Sequence, residues 1–306
     1  MKVGVTGATG FVGRSVVSKL LSDNHQVVPM VRGISHLKNE YVMGDVSLPL
    51  KGNFPDLDAV IHLAGLAHVH ERDEREAKRR FFSANVDGTR RVLDAAIAAR
   101  ISHFIFVSSV KVHGEKTATG CPFVETDICN PEDIYGESKQ EAERLVLNKC
   151  NEAGVAYTII RPPLVYGRGV GANFKKLAGL ARAPFPVPLG SIDNRRSLIY
   201  VENLADIISA ALINDAALDQ IFLVSDGQDV STSELLSQLA KAQNRSIRLL
   251  PSKPLRLGLN LAGMTEVRDR LFSNLQVDDS HVRQSLGWIP RFDLATGLAN
   301  SFGPRD

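Results

Sequence analysis

The 306-residue sequence predicts an α/β fold, a doubly wound parallel sheet followed by a smaller C-terminal α/β region. Short apolar runs alternate with amphipathic helical segments, a pattern typical of parallel strands joined by crossover helices. The first apolar run leads directly into a glycine-rich turn at 7–13 and then into a helical segment. The hydrophobic fraction of 44% and the charged fraction of 23% are those of an ordinary globular chain.

The first half of the chain carries the elements of this sheet in regular order. Strands are predicted at 2–6, 26–31, 41–42, 59–63, 103–108 and 157–161, and helices at 11–22, 81–100 and 135–151. After residue 165 the sequence becomes rich in proline and glycine, so we place a boundary there, between a first domain, 1–165, and a second region, 166–306. In that second region, a strand at 197–201 and a helix at 202–214 are expected, part of which returns to the first domain.

The glycines of the opening turn have mechanical roles that indicate a dinucleotide. Gly7 allows a tight turn, Gly10 lets the backbone approach a pyrophosphate, and Gly13 lets the helix pack closely on the strand. The phosphates then lie at the positive N-terminus of the helix. Domain 1–165 is therefore predicted to be a Rossmann-type dinucleotide-binding domain, with the remaining motif contacts from Thr9, Phe11 and Val12.

A tyrosine and a lysine four residues apart predict acid/base chemistry beside a nicotinamide. Tyr135 and Lys139 lie one helical turn apart on the same face. A free phenol has a pKa of about 10, and a neighbouring cation lowers it by favouring the phenolate. The serine pair Ser108-Ser109 ends a later apolar run, and the glycine turn, the serine pair and the Tyr135/Lys139 pair, in this order, indicate a nicotinamide dinucleotide held beside an acid/base tyrosine.

The end of the second strand bears on the choice of cofactor. An acidic residue there binds the adenosine ribose of NAD, whereas an arginine accommodates the 2′-phosphate of NADP. This strand ends in Arg32, which favours NADP, although a solvated Arg32 leaves NAD open. Further cofactor contacts are expected near the adenine and beneath the dinucleotide, from Asp45, Val46, Leu63, Ala64 and Gly65.

Composition excludes several other partners. A net charge of +2 predicts no nucleic-acid footprint, and the three cysteines show no metal-ligand spacing. His68 and His70 have no acidic or cysteine cluster to complete a metal site, so no metal is expected. No window approaches 18 apolar residues and no signal peptide is visible, which predicts a cytoplasmic protein without a membrane partner.

These motifs resemble those of the extended short-chain dehydrogenases/reductases of the nucleotide-sugar epimerase/dehydratase group. The similarity covers nearly the full length, through residues 7–13, 45–46, 62–65, 85–89, 104–109, 135–139 and 161–167. It implies that Ser109 polarises a sugar carbonyl, Tyr135 is the acid/base and Lys139 binds the nicotinamide ribose. It further implies a homodimer and a UDP-linked sugar substrate. By the same resemblance, cofactor contacts extend to Asn85, Pro162 and Val165, and substrate contacts to Lys111, Asn173 and Arg196.

Departures from the group's patterns distinguish its reactions. Sugar 4,6-dehydratases carry an Asp-Glu pair where this chain has Val110 and Lys111, so dehydration is not expected. Together with Arg32, the run 108–115 resembles 4-ketoreductases that act on UDP-linked 4-keto-6-deoxy-N-acetylhexosamines in polysaccharide precursor synthesis. Two alternatives stay open: a UDP-hexose 4-epimerase that retains NAD, and a non-catalytic dinucleotide sensor.

Overall fold

A seven-stranded parallel sheet forms the centre of the computed structural model, which describes residues 1–67, 71 and 73–303, except the side chains of 172 and 173. Two-stranded parallel sheets accompany it. Numbered along the chain, the described strands are β1 (Lys2–Thr6), β2 (Gln26–Val31), β3 (Tyr41–Val42), β4 (Ala59–His62), β5 (His103–Val107), β6 (Ala156–Arg161), β7 (Leu164–Tyr166), β8 (Val187–Gly190), β9 (Leu198–Tyr200), β10 (Gln220–Leu223) and β11 (Leu249–Pro251). The large sheet has the order β10-β6-β5-β4-β1-β2-β3, and the small ones pair β11 with β8 and β7 with β9.

Helices cover both faces of the large sheet and build most of the C-terminal region. They are α1 (Phe11–Ser22), α2 (Glu74–Phe82), α3 (Gly88–Ala98), α4 (Ile134–Ala153), α5 (Ala172–Leu180), α6 (Val201–Ile213), α7 (Thr232–Ala242), α8 (Lys253–Leu261), α9 (Thr265–Phe272), α10 (Ser280–Leu286) and α11 (Leu294–Phe302). Within the described ranges, none of these helices has the length and apolar character needed to cross a membrane.

Neighbouring residues of each central strand point to opposite faces of the sheet, as the pleat requires. Ile61 and Ile105 belong to a core shared with α1 and α6, whereas Val60 and Phe104 belong to a core shared with α3 and α4. Both faces are covered, which explains why these strands read as continuous apolar runs. The predicted doubly wound α/β fold is confirmed.

The order of the strands creates a crevice next to β1. The chain runs from β1 to β2 and β3 on one side, then crosses to β4 on the other side of β1. In open α/β sheets, ligands bind beyond the carboxyl ends of the strands where the order reverses. The glycine turn after β1 and residues 63–65 after β4 meet at this point.

Two predicted elements differ from the structure in instructive ways. The helix predicted at 81–100 is interrupted by a π-helical turn at Ser83–Asp87 between α2 and α3. The strand predicted near 197–201 is β9, which pairs with β7 and not with the large sheet. The return to the first sheet is made by α6, which packs on α1, and by β10, which pairs with β6. The boundary at residue 165 stays a prediction.

Candidate functional site

The glycine turn forms a close-packed cradle at the start of α1. Gly7 has φ +68°, and a Cβ there would lie 2.9 Å from the backbone nitrogen of Ala64. A Cβ on Gly13 would lie 2.1 Å from the Gly7 carbonyl oxygen, so only glycine permits this approach of helix and turn. Gly10 is the N-cap and provides no side-chain cap, and the first turn of α1 contains no acidic residue. Its free N–H groups suit a pyrophosphate, so the residues fit the dinucleotide expected from the sequence.

The segment after β4 is fixed by a buried hydrogen-bond chain. The Thr6 hydroxyl accepts hydrogen bonds from the backbone nitrogens of Leu63 and Ala64, both at 3.1 Å, and lies 2.7 Å from His62 Nδ1. His62 Nε2 lies 3.0 Å from the Thr89 hydroxyl. Burial lowers the pKa of His62 to about 3, so this ring is neutral and acts as a structural link. The sequence alone had indicated no role for His62 or Thr6.

Asn85 lies on the π-helical turn and joins the cofactor crevice to α4. Its Oδ1 accepts from Leu66 N at 2.7 Å, and its Nδ2 donates to Ser138 Oγ at 2.9 Å. Ser138 Oγ in turn donates to the backbone oxygen of Tyr135 at 2.8 Å. A Cβ on Gly65 would lie 2.8 Å from Asn85 Oδ1, so a glycine is needed here too. Single π turns are frequent at functional sites, and Asn85 lies in the middle of this one.

The end of the crevice near β2 carries both signs of charge. Arg32 directly follows β2, its side chain is 81% exposed, and its Nη1 lies 3.7 Å from Asp45 Oδ2. Hydrogen bonds from Ser47 lower the pKa of Asp45, and the Arg32 charge lowers it further. Val46 packs against Gly88 and accepts a hydrogen bond from Arg91 through its backbone oxygen. The sequence had not indicated that a carboxylate offsets the Arg32 charge.

Tyr135 and Ser109 come together above the carboxyl end of β5. Tyr135 is in the first turn of α4, and its ring lies 5.9 Å from that of Phe81. Its hydroxyl makes a side-chain hydrogen bond with Ser109. Ser109 is the N-cap of a 3-10 turn and accepts from Lys111 N at 3.2 Å. Two of the three predicted catalytic side chains therefore meet.

Lys139 lies one turn further along α4 and points under β5. Its Nζ donates to the backbone oxygen of Val107 at 2.7 Å and lies 4.1 Å from the centre of the Phe106 ring. Burial lowers the pKa of this ammonium to about 7, and the Glu143 carboxylate opposes that shift. Lys139 is thus fixed against the carboxyl end of β5, one helical turn after Tyr135.

The expected lowering of the Tyr135 pKa by Lys139 is not seen in this structure. Burial, with a smaller contribution from the negative charge of Asp133, raises the pKa of Tyr135 to about 12, and the hydrogen bond with Ser109 opposes this rise only in part. The reason is that desolvation penalises the phenolate, while Lys139 has itself lost much of its tendency to be charged.

Lys111 connects the Ser109 turn to the N-terminus of α4. Its ammonium contacts the carboxylates of Asp133 and Glu115, which together raise its pKa despite burial. Asp133 is the N-cap of α4 and accepts from Gly136 N at 2.7 Å. A Cβ on Gly136 would lie 2.6 Å from the Lys111 carbonyl oxygen, so the turn and the helix touch directly. The predicted substrate contact of Lys111 would require its ammonium to leave one of these carboxylates.

A buried ion pair holds the strand that leads to Pro162. The Arg161 guanidinium contacts both oxygens of Glu143, at 3.0 and 2.6 Å, and lies 2.9 Å from His113 Nε2. Burial and the Arg161 charge lower the pKa of His113 to about 4. Pro162 follows β6 and accepts from Val110 N at 2.9 Å, so the strand end is tied to the Ser109 turn.

Val165 and Arg196 lie on the C-terminal side of this crevice. Val165 is in β7 and pairs with Ile199 of β9. Arg196 precedes β9, and its Nη1 donates to the backbone oxygen of Ser273 at 3.0 Å. Burial lowers the pKa of Arg196, and within the described ranges no carboxylate forms an ion pair with it. Such a half-buried cation suits an anionic ligand.

Two of the predicted sites lie partly or wholly outside the described residues. Asn173 lies in α5, but its side chain is outside the described part of the chain. His68 and His70 also lie outside the described residues. Among the residues that are described, no group of three or more histidine, cysteine, aspartate or glutamate side chains could hold a metal ion.

Comparison with known proteins identifies the family. Residues 3–224 match the model of the NAD dependent epimerase/dehydratase family. A UDP-glucose 4-epimerase of Vibrio cholerae is 39% identical over 96% of this chain and 92% of that protein. An N-acetyl-alpha-D-glucosaminyl-diphospho-ditrans,octacis-undecaprenol 4-epimerase of Escherichia coli O157:H7 is 28% identical over 95% and 91%.

Solved structures share the fold at lower identity. A UDP-glucose 4-epimerase of Thermotoga maritima with UDP-glucose has a TM-score of 0.76 and 22% identity, over 99% of this chain and 97% of that chain. RMD of Pseudomonas aeruginosa complexed with NADPH has the same TM-score and identity over 98% and 97%. The chain therefore belongs to the NAD dependent epimerase/dehydratase family and is an NAD(P)-dependent enzyme of the extended short-chain dehydrogenase/reductase type.

Proposed function

We propose that this protein is a nucleotide-sugar 4-epimerase that acts on a UDP-linked hexose or N-acetylhexosamine. The observation that carries the proposal is the 39% identity, over nearly the whole length, to a UDP-glucose 4-epimerase. The Ser109, Tyr135 and Lys139 side chains of this chain support it, because C4 chemistry needs an acid/base at the sugar hydroxyl. The E. coli relative is also a 4-epimerase by name.

The side chains suit reversible proton transfer at O4 of the sugar. Tyr135 takes the O4 proton as the C4 carbonyl forms, and returns it when the carbonyl is reduced. Ser109 donates a hydrogen bond to the same oxygen and stabilises its developing charge. The bound nicotinamide supplies hydride acceptance and donation. Lys139, with a pKa near 7, is suited to exchange a proton near the ribose.

Substrate binding is assigned to the C-terminal side of the crevice. Arg196 is half-buried, has no carboxylate partner among the described residues, and lies in the electrostatic field of a second cation, Arg270. The Glu115 carboxylate has a larger effect on the pKa of Arg196 than Arg270 has, and of opposite sign, so the two neighbouring charges do not add a net positive field. The Arg196 guanidinium itself favours a diphosphate, for which charge-assisted hydrogen bonds are strong. We therefore assign the UDP diphosphate to Arg196.

The cofactor assignment follows from the charges at the end of β2. Arg32 favours the 2′-phosphate of NADP, but Asp45, 3.7 Å away, offsets part of its charge. The site thus accepts NAD as well as NADP, and a retained NAD is the form that epimerisation uses. Replacing Arg32 with Asp should weaken NADPH by about 1.5–3 kcal/mol, the range for hydrogen bonds to charged groups, and NADH far less.

The function is tested by conversion without a reductant. Purified protein should convert UDP-glucose to UDP-galactose, or UDP-N-acetylglucosamine to its C4 epimer, with no added cofactor, and should release bound NAD on denaturation. A protein that carries no cofactor and converts neither sugar after NAD is added would contradict the proposal.

A second candidate is reduction of a UDP-linked 4-keto-6-deoxy-N-acetylhexosamine, as the sequence motifs suggest. Arg32 at the end of β2 favours it, because a reductase binds NADPH and releases NADP in each turnover. Oxidation of NADPH that requires such a ketosugar, together with no epimerisation in its absence, would select this candidate.

A further inference from the structure

The chain has a region where positive charge is concentrated. Between residues 235 and 265 the sequence contains five cations and no carboxylate: Lys241, Arg245, Arg248, Lys253 and Arg256. The whole chain has 36 basic and 34 acidic residues, so this region departs strongly from the average. The four cations of 245–256 are exposed and form no ion pair within the described ranges. Their charge is therefore available to an external anion.

Exposed apolar side chains occupy the same region. Leu257 is 60% exposed, Leu261 82% and Met264 47%. Leu257 and Leu261, four residues apart, lie on one face of α8. Met264 follows the left-handed Gly263 just beyond the end of this helix. Leu259 is buried and Leu255 packs into the C-terminal core, so the opposite face holds α8 on the protein. The exposed side chains on the outer face of α8 are therefore held at the surface and do not contribute to the core.

The exposed row lies at the edge of the proposed substrate region. α8 packs on α9, and Ser273 at the end of α9 accepts the hydrogen bond from Arg196. Lys116, in the loop that follows Ser109, lies 3.8 Å from Asp269 of α9. A surface that contacts these exposed residues of α8 is therefore close to the side of the crevice, near Arg196, from which a sugar diphosphate would enter.

We propose that Leu257, Leu261 and Met264, flanked by Lys253 and Arg256, dock on an anionic lipid surface. We call this set the α8 face. Apolar side chains that enter the headgroup region, with cations beside them, are the features of a helix lying in a membrane interface. An exposed apolar patch rimmed by polar or charged residues is typical of an interaction site.

Docking on a lipid surface lies beyond the proposed function. The sequence predicted no membrane partner because no segment can span a bilayer, but interfacial docking needs no span. A 4-epimerase whose α8 face lies on a membrane is suited to sugars carried on lipid diphosphates. The E. coli relative is named for such a substrate.

Vesicle co-sedimentation tests the proposal with the full chain. Wild-type protein should sediment with vesicles of phosphatidylglycerol and phosphatidylcholine, and much less with phosphatidylcholine alone or in high salt. The double variant Leu257→Asp/Leu261→Asp should lose at least about tenfold in partitioning. Lys253→Ala/Arg256→Ala should lose about fivefold for each cation removed.

A matched control uses apolar residues that are equally exposed elsewhere. Ile128 is 89% exposed and Ile289 70%, and Ile128→Asp/Ile289→Asp should bind vesicles like the wild type. The unfolding temperature of each variant verifies that it is folded. Because partitioning is measured without turnover, the result is independent of the proposed reaction.

Several outcomes overturn the proposal. Wild-type protein that does not sediment with anionic vesicles excludes the docking. Equal binding by Leu257→Asp/Leu261→Asp places the contact elsewhere. A dimer that dissociates in that variant, with no vesicle binding by the wild type, assigns the α8 face to a second copy of this chain.

Discussion

The large parallel sheet and the region after residue 165 differ in the length and burial of their strands. Apart from the two-residue edge strand β3, the strands in the first are largely buried and four to six residues long, as β1, β5 and β6 are. The second holds three-residue strands, such as β7 and β9, and isolated bridges that join distant segments. Arg196, for example, bridges both Val230 and Leu275.

Under the proposed function, this difference separates the residues assigned to catalysis from those assigned to substrate binding. Ser109, Tyr135 and Lys139 are fixed by strands and by a long helix whose positions are set by a buried core. Arg196 and the α8 face depend on tertiary contacts between short elements. Rigid elements hold catalytic geometry best, whereas loops and short elements vary with little effect on the fold. The comparison predicts that mutations in the two regions affect different kinetic constants.

The largest effect is expected from Tyr135→Phe, which removes the proton acceptor with almost no change in shape. Turnover should fall by about 10²–10⁴-fold, the usual contribution of general acid–base catalysis, with cofactor binding unchanged. Steady-state kinetics and cofactor titration measure the two effects. Tyr157→Phe, on the β6 strand away from the crevice, is the matched control and should behave like the wild type. Near-normal turnover in Tyr135→Phe would remove Tyr135 from the mechanism.

The next largest effect is expected on the free energy of unfolding, through the buried ion pair behind the sheet. Arg161→Met leaves the Glu143 carboxylate buried without its partner, because both side chains are almost fully inaccessible. Breaking such a pair costs about 3–5 kcal/mol of unfolding free energy. Denaturant unfolding measures it. Arg144→Met, which breaks an exposed ion pair with Glu141, should cost at most about 1 kcal/mol. Equal losses in the two variants would refute the role of burial.

Arg196→Ala tests the binding of the nucleotide sugar separately from the binding of the cofactor. Loss of one charge-assisted contact to a diphosphate should raise KM for the nucleotide sugar by about 10–100-fold, with cofactor affinity unchanged. Initial-rate kinetics with varied nucleotide sugar measure the effect. Arg144→Ala, on the outer face of α4, serves as the surface control. A normal KM in Arg196→Ala would contradict the assignment of the diphosphate.

The smallest effect is a shift of the pH profile through Lys111 and Asp133. The Asp133 charge raises the pKa of Tyr135, and Lys111 neutralises Asp133. Since epimerisation starts from the phenolate, Lys111→Met should move the rising limb of kcat against pH to higher pH. Asp133→Asn keeps an N-cap but removes the charge, so it should move that limb to lower pH.

The double variant Lys111→Met/Asp133→Asn tests the opposite signs of these two shifts. Its rising limb of kcat against pH should return toward that of the wild type. Lys116→Met removes a more exposed lysine of the same loop and should leave the profile in place. Shifts of the same sign in both single variants would show that Lys111 and Asp133 do not act through their charges.

The sequence predicted the sheet region in detail because its signals are local. The bounds of β1, β2 and α1 agree with the predicted ones, since a glycine turn and continuous apolar runs mark them. The π turn at Asn85 was not predicted, because its backbone is determined by tertiary contacts with Leu66 and Ser138.

Electrostatic details of the site also could not be predicted from the sequence. The pairing of Arg32 with Asp45 and the rise in the Tyr135 pKa depend on distance and burial, which the order of residues does not encode. The Asp133 N-cap had a local signal, an acidic residue directly before the helix of Tyr135, and was missed. In the C-terminal region, the pairing of β9 with β7 was missed because neither three-residue strand carries a readable period.

The central claim is that a hydride leaves C4 of the sugar and returns to it within one enzyme. UDP-glucose deuterated at C4 tests it directly, with the purified protein and no added reductant. We expect UDP-galactose that retains the deuterium at C4, because hydride transfer to a bound nicotinamide and back would exchange nothing with water. Product that has lost the deuterium, or no product from any UDP-hexose while a UDP-4-ketosugar is reduced with NADPH, would contradict it.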